Sequence, residues 1–322
     1  MSSRVIRYKA VQAKESLRYI VFFLSLCLFG LAAYSAAMAF LPPISTQGDL
    51  ASSLLLCKNN VDEAWRLMSQ GSITEDRYLC LTAFDRFFLD SGTASYMYIQ
   101  EGWLVEGKSY SSVCLLTLTT AFPFLGPALG VFFGYLLFGK DLADGAIKNL
   151  FQGGLSRNEA FFGSFASSLL IPFSFLAFAF AFLFLSSSPL FGMSFLIQDG
   201  ESVVECPAYL AGMMALPLSL IGCLLAASLV GLCSLLSRSP MISCALPACL
   251  FLLPFASSIG VSKAAALEFY PSLSSSAMPF SGLMLGCSGG CYTPTYINFA
   301  VSLLGSIGLV AALRRSYGRA SF

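Results

Sequence analysis

The sequence predicts an all-α integral membrane protein with six transmembrane helices, and three observations carry that prediction. Of 322 residues, 57% are hydrophobic and 11% charged, with a mean hydropathy of +0.76, whereas soluble domains carry roughly 25% charged residues. Six stretches free of Asp, Glu, Lys and Arg lie at about 19–41, 112–138, 160–186, 207–236, 241–259 and 294–313. Runs of about 20 apolar residues can each cross the roughly 30 Å hydrocarbon layer as a helix. The charges also sort by side. With the N-terminus inside, the inner segments hold twelve Lys and Arg against four acids, and the outer segments six against thirteen. The excess of Lys and Arg on one side sets orientation, so both ends are expected in the cytoplasm of a multi-pass cell-membrane protein, most simply a bacterial plasma membrane.

The same composition excludes several classes of function. Histidine is absent, which removes HExxH zinc chemistry, Ser-His dyads and imidazole proton relays. A net charge of +1 leaves no electrostatic footprint for nucleic acid. No catalytic residue, metal site or cofactor bound by this chain is expected.

Taken in order, the first span ends at Ala37-Met38-Ala39, a small-x-small triplet of the signal-peptidase kind. The apolar run before it is longer than the usual 7–15 or so residues of a cleaved signal, and the span reads as a retained anchor. The outer loop 42–111, with Trp65 and Trp103 among mixed charges, is long enough for a small folded cap. Span two carries Gly126, Gly130 and Gly134, a small-residue stripe that permits close helix packing, within the chain or against a second permease copy. Prolines at 123, 127, 172, 217, 247 and 254 fall inside spans, where neighbouring helices can satisfy the freed backbone groups. Ser237-Arg238-Ser239-Pro240 joins spans four and five as a tight turn. The outer segment 260–293 is too apolar for a free loop and too interrupted for a span. It reads as short helices dipping into the outer leaflet.

Of eleven cysteines, Cys27, Cys223, Cys233, Cys244 and Cys249 fall in spans, where cysteine behaves as a small hydrophobe. Cys57, Cys80, Cys206, Cys287 and Cys291 fall outside, in a setting that permits disulfides, with Cys114 near the membrane edge. Cys57 with Cys80 and Cys287 with Cys291 are the pairings to test, with free thiols the alternative.

Three energy sources for transport can be weighed. An ion carrier would usually place ionisable residues at membrane depth, and the six stretches contain none. Gly134 to Asp141 mimics the phosphate-loop pattern GxxxxGK[ST], but Asp141 replaces the magnesium-binding hydroxyl and the variable residues are apolar. The third source is an external motor. Between spans two and three, the segment 139–159 places Ala143, Ile147, Leu150 and Phe151 on one helical face with Asp144, Lys148 and Asn149 turned away. Gly153-Gly154 ends that helix, and Ser156 with Glu159 forms a capping-box pattern. Such a helix is either a lever for another protein or a connector lying on the headgroups.

The run Asp141-Leu142-Ala143-Asp144-Gly145-Ala146-Ile147-Lys148-Asn149-Leu150-Phe151-Gln152-Gly153-Gly154-Leu155-Ser156-Arg157, followed by span three, resembles the signature of type-2 ABC exporter permeases. That family joins spans two and three by an acidic residue, a Gly-Thr pair, a short amphipathic helix and a Pro-x-Ser-Arg turn. The resemblance in topology covers nearly the whole chain, and in motif about 25 residues. Ala146 stands where threonine is common, Gly154 where proline is common, Asp141 for the more frequent glutamate and Ser164 at a position often held by lysine. The resemblance implies a single permease domain over 1–322 and an interfacial helix at its N-terminus, within residues 1–18. Val5, Ile6, Ala10 and Ala13 would face membrane or partner, and the basic residues the lipid headgroups. It further implies two cytoplasmic ABC ATPase subunits, which would bind the ATP and magnesium, and a second permease copy or sister permease. Asp141, Asp144, Gly145, Ile147, Lys148, Leu150, Phe151, Gly154 and Arg157 would form the coupling contact. The exported substrate would be a peptide, drug or other hydrophobic compound. Sodium or lipid and glycan export, and a non-transporting sensor or assembly protein, are the alternatives.

Overall fold

A computed structural model describes residues 3–40, 50–75, 78–79, 82–92, 110–152, 154–192, 194–199, 202–258 and 295–319. These are mostly helical. In chain order the elements are α1 (Ser3–Glu15), α2 (Leu17–Phe40), α3 (Leu50–Ser69), α4 (Ala83–Ser91), α5 (Tyr110–Thr120) and α6 (Phe122–Gly134). A π turn (Tyr135–Gly139) leads into α7 (Lys140–Ala143), α8 (Ile147–Gln152) and α9 (Arg157–Ser186). Then come β1 (Ser194–Asp199), β2 (Ser202–Pro207), α10 (Ala208–Ser237), α11 (Pro240–Ser258) and α12 (Thr295–Arg319).

Four segments among the described residues are helical, long and apolar enough to cross a membrane: Leu17–Ala36, Phe122–Ala143, Arg157–Ser186 and Gly212–Ser237. The remaining two apolar stretches are helical as α11 and α12. Between α10 and α11 the chain turns on Arg238, whose φ of 51° is left-handed. Ser237 Oγ accepts from Ser239 N at 3.3 Å across that turn.

Two departures from an uninterrupted all-helical reading have local causes. The apolar stretch 112–138 is not one straight helix. It breaks at Ala121, because Pro123 has no N–H for the preceding turn and its ring crowds the carbonyl four residues back. An Ala121 O to Phe124 N bond of 3.2 Å restarts the chain as α6. The connection between α9 and α10 contains an antiparallel hairpin, paired from Ser194↔Pro207 to Asp199↔Ser202. Phe195-Leu196-Ile197 and Val203-Val204 suit a strand, and the strands are joined across residues 200–201. Strand β2 packs on α4, so the connection after α9 meets the one after α2. Trp65 of α3 and Tyr78 meet edge to face at 5.8 Å.

The core lies where α6, α9, α10 and α12 converge, around buried Phe133, Phe138, Phe161, Leu176 and Tyr317. The closest approach is α6 on α10. A Cβ added at Gly126 would stand 1.9 Å from Ser219 O, at Gly130 2.4 Å from Cys223 O, and at Gly134 2.9 Å from Ala227 Cα. Both helices thus present a four-residue repeat to each other, and the glycine stripe is filled by this chain's own α10. Ser219 Oγ also donates to Phe122 O at 3.1 Å across the contact. On the far side, Phe23 of α2 stacks on Phe132 at 4.0 Å, and the Ser35 and Thr117 hydroxyls are 2.8 Å apart.

Cys57 is buried, and its thiol is hydrogen-bonded to Asp85, whose carboxyl is held above its usual range by burial. Cys80, Cys287 and Cys291, and with them both disulfide pairings, lie outside the described residues, as does the segment 260–293.

The packing makes a direct prediction. Gly126→Ala and Gly130→Ala force backbone apart and should each cost roughly 1–3 kcal/mol or more, read as a lowered melting temperature in detergent. Gly308→Ala, with no atom within 4 Å of the added carbon, should leave the melting temperature unchanged or slightly raised.

Candidate coupling site

The residues that resemble a phosphate loop form no loop. Gly134 and Gly139 have helical φ of −57° and −65°, and Gly139 sits against Ser234 and Val230 of α10. The irregularity here is of another kind. From Tyr135 to Gly139 the helix widens into a π turn, in which Lys140 N donates to Tyr135 O. A π turn disturbs the regular i→i−4 ladder and occurs often at functional sites.

Helix α1 meets this turn. Gln12 Nε2 donates to Leu136 O at 3.1 Å, and the Lys9 ammonium donates to Leu137 O. Directly below, Asp141 accepts from Lys9 at 2.6 Å on Oδ2 and from Gln12 at 3.0 Å on Oδ1, while Gln12 Oε1 accepts from Lys9 at 3.0 Å. Tyr8 is also hydrogen-bonded to Asp141. Lys9 and Asp141 are almost completely buried, at 3% and 5% exposure. Burial pushes the Lys9 ammonium below its usual range, and the Asp141 carboxylate opposes that shift. Burial, with the Asp141 charge second, raises the Tyr8 phenol.

This arrangement corrects two expectations. Lys9 does not face lipid headgroups. Val5, fully buried against Gly163, Lys9, Gln12 and Ala13 form one stripe of α1 at helical spacing, and the stripe is turned into the protein. Arg7, Ala10, Val11 and Lys14 are exposed. Asp141 faces α1 and is not available to a partner. The side chain of Ile6 is outside the described set.

The helix expected over Ala143–Phe151 is also divided. α7 ends at Ala143, and α8 begins at Ile147. Gly145, at φ +70°, lies between them, in the left-handed region that favours glycine. Gly154, at φ +79°, reverses the chain after α8 where the resembling family uses proline. The capping box at the start of α9 is formed: Ser156 Oγ accepts from Glu159 N at 3.3 Å and Glu159 Oε2 from Ser156 N at 3.1 Å.

The other flank of the segment is fastened to α12. Phe151 meets Tyr317 at 6.3 Å between ring centroids, and Tyr317 also contacts Phe138 and Phe161. The Arg157 guanidinium lies 6.0 Å from the Phe151 ring centre and donates to Gly318 O. Phe151 and Arg157 therefore anchor the segment to its own chain. Lys140, Asp144, Lys148, Gln152 and Gly154 are exposed, as are Ser156, Arg157, Asn158 and Glu159 at the start of α9. The side chains of Ile147, Asn149 and Leu150 are outside the described set. Ser164 is fully buried, and its hydroxyl has no partner among the described residues. Among the described residues no group of three His, Cys, Asp or Glu is placed to hold a metal ion.

Two very short helices, fastened on both flanks, thus present a mixed-charge face. The residues that fasten it, Lys9, Gln12 and Tyr317, were not singled out from the sequence as site residues. For α1 the signal was the spacing Val5, Lys9, Gln12, Ala13, which places a lysine inside an apolar stripe.

Removing one member of a buried ion pair leaves an uncompensated charge and costs roughly 3–5 kcal/mol, whereas an apolar replacement of both is often near neutral. Lys9→Met and Asp141→Leu should each lower the melting temperature sharply in detergent, and the double variant should recover most of the loss.

No family model, curated protein or solved structure matches this chain, and the functional reading rests on the residues and the geometry.

Proposed function

We propose that this chain is the transmembrane permease subunit of an ATP-driven ABC exporter. It spans the plasma membrane six times with both ends in the cytoplasm. It works as a pair, with itself or a sister permease, above two ATPase subunits that hold ATP and magnesium. The observation that carries the reading is the exposed face of Lys140, Asp144, Lys148 and Gln152. It belongs to a segment joining two of the long apolar helices and fastened to α1 on one flank and α12 on the other.

Physical reasons support this assignment. An isolated helix needs about 12–15 residues to be marginally stable in water, and α8 has six. A segment that short keeps its shape only through its attachments, so a force applied to its exposed face passes into α6 and α9. Charged groups on such a face give a docking partner specificity and speed of association. The exposed basic residues of α1, Arg7 and Lys14, suit contact with anionic lipid headgroups. The sizeable outer cap favours a hydrophobic drug or peptide as cargo.

The test is co-purification followed by reconstitution. The tagged chain should bring down an ATPase with phosphate-loop and signature motifs. In proteoliposomes, Lys148→Glu should reduce transport at least about tenfold, the order of a 1.4 kcal/mol change in coupling, while insertion and melting temperature stay at wild-type values. Full transport and full ATPase stimulation in Lys148→Glu combined with Ile147→Ala and Leu150→Ala would defeat the coupling role.

A further inference from the structure

The π turn at Tyr135–Gly139 sets a rotational register. An α-helix turns about 100° and rises about 1.5 Å per residue, and a π turn takes up one additional residue without passing that rotation on to the helix beyond it. Closing the turn into α geometry would therefore rotate everything after Gly139 by about 100° and advance it by about 1.5 Å. Asp141 would leave its place beside Lys9, and Lys140, Asp144 and Lys148 would swing to another side. Such a widened turn persists where the surrounding structure holds it. Here two carbonyls of the turn, Leu136 O and Leu137 O, accept from Gln12 and Lys9, both on α1. The same two side chains hold Asp141, the second residue after the turn. Further donors to the turn's backbone are not needed: Lys140 N bonds Tyr135 O, and the ladder has resumed by Asp144 N to Lys140 O at 2.8 Å.

We propose that Lys9 and Gln12 are positioning residues that keep Tyr135–Gly139 in its π form, and so determine which face the Lys140–Gln152 segment exposes. The consequence for transport rests on reading that segment as the ATPase contact. In that case α1 decides whether the contact face is presented, and a movement of α1 away from α6 would withdraw it by one residue of rotation.

The experiment measures hydrogen–deuterium exchange by mass spectrometry on the purified full chain in lipid nanodiscs. Three variants are compared with wild type: Lys9→Met/Asp141→Leu, which leaves no unpaired buried charge, the same variant with Leu136 deleted, and Gln12→Leu alone. The double variant should keep a melting temperature near wild type, while amides of residues 140–152 exchange about tenfold faster as local opening becomes easier. Deleting Leu136 should bring that exchange back to wild type, because an α turn with one residue fewer keeps the register without help. Amides around the Ser237–Pro240 turn should not change in any variant. Wild-type exchange in both the double variant and Gln12→Leu overturns the proposal, and so does fast exchange that the deletion fails to restore. A merely structural role for the ion pair would predict full recovery in the double variant without the deletion. If the double variant fails to fold, Gln12→Leu carries the test together with a further variant that adds the Leu136 deletion to it: faster exchange at 140–152, abolished by that deletion, supports the proposal, and no change overturns it. No ATPase enters this measurement. Its failure leaves the exporter reading standing, and absence of a co-purifying ATPase leaves the register mechanism standing.

Discussion

The backbone-to-backbone approach of α6 and α10 is the contact on which the rest of the molecule is built. With glycine at 126, 130 and 134, the helices come so close that a single added carbon would strike Ser219 O or Cys223 O. In a lipid setting there is little hydrophobic force between helices, and close packing of small residues supplies the attraction instead. This contact positions α6 rigidly, which in turn defines where the π turn and α7 emerge. Phe138, on that turn, then meets Phe161 and Phe165 of α9 and Tyr317 of α12 at centroid distances of 5.9, 5.6 and 6.4 Å. One glycine stripe thus fixes the frame to which the Lys140–Gln152 segment is tied.

A second constraint is polar satisfaction away from water. Each unsatisfied backbone group in hydrocarbon is costly, so irregular backbone survives only where protein supplies partners. Serines in the long helices follow the rule by bonding back one turn: Ser228 to Leu224 O, Ser234 to Val230 O and Ser167 to Gly163 O. The π turn follows it by recruiting Lys9 and Gln12. The buried ion pair is costly to desolvate and weak evidence for stability. Its geometry explains its presence better: one ammonium and one amide together reach two carbonyls and both carboxylate oxygens. Replacing them by apolar residues would leave the carbonyls of a specific, widened turn without donors.

The long helices were legible because apolar length and the absence of charge are additive signals over about 20 residues. The glycine stripe was legible because its period is that of a helix face, although the sequence did not distinguish a contact within the chain from one with a second copy. The features that escaped are those decided by one residue. Pro123 was visible, but whether a proline kinks or breaks a span depends on what its neighbours satisfy. Gly145 divides the helix expected over Ala143–Phe151 because it takes a left-handed conformation, a choice no periodicity reports. The hairpin 194–207 is signalled only by Gly200 between the short apolar runs Phe195-Leu196-Ile197 and Val203-Val204, a pattern weaker than that of the long spans around it. Lys9 was assigned to lipid headgroups on charge alone, while its spacing from Val5, Gln12 and Ala13 placed it on the protein side. The partner that reverses the assignment, Asp141, lies 132 positions away, beyond the reach of any local pattern.

The Lys140–Gln152 segment shows how short helices can hold a fixed place. Helices of four and six residues have little stability of their own, so their stiffness is borrowed. On one flank it comes from rings, with Phe151 against Tyr317 and Arg157 over Phe151. On the other it comes from charge and hydrogen bonds, with Asp141 held by Lys9 and Gln12. These two attachments respond differently. Aromatic packing is tolerant of small shifts, whereas a buried ion pair bound to two carbonyls has one good geometry and few near it. A push on the exposed face would therefore be absorbed least at Asp141, and α1 would move with α6 before the rings released. On that argument the N-terminal helix and α6 move as one body, joined at Asp141 by Lys9 and Gln12.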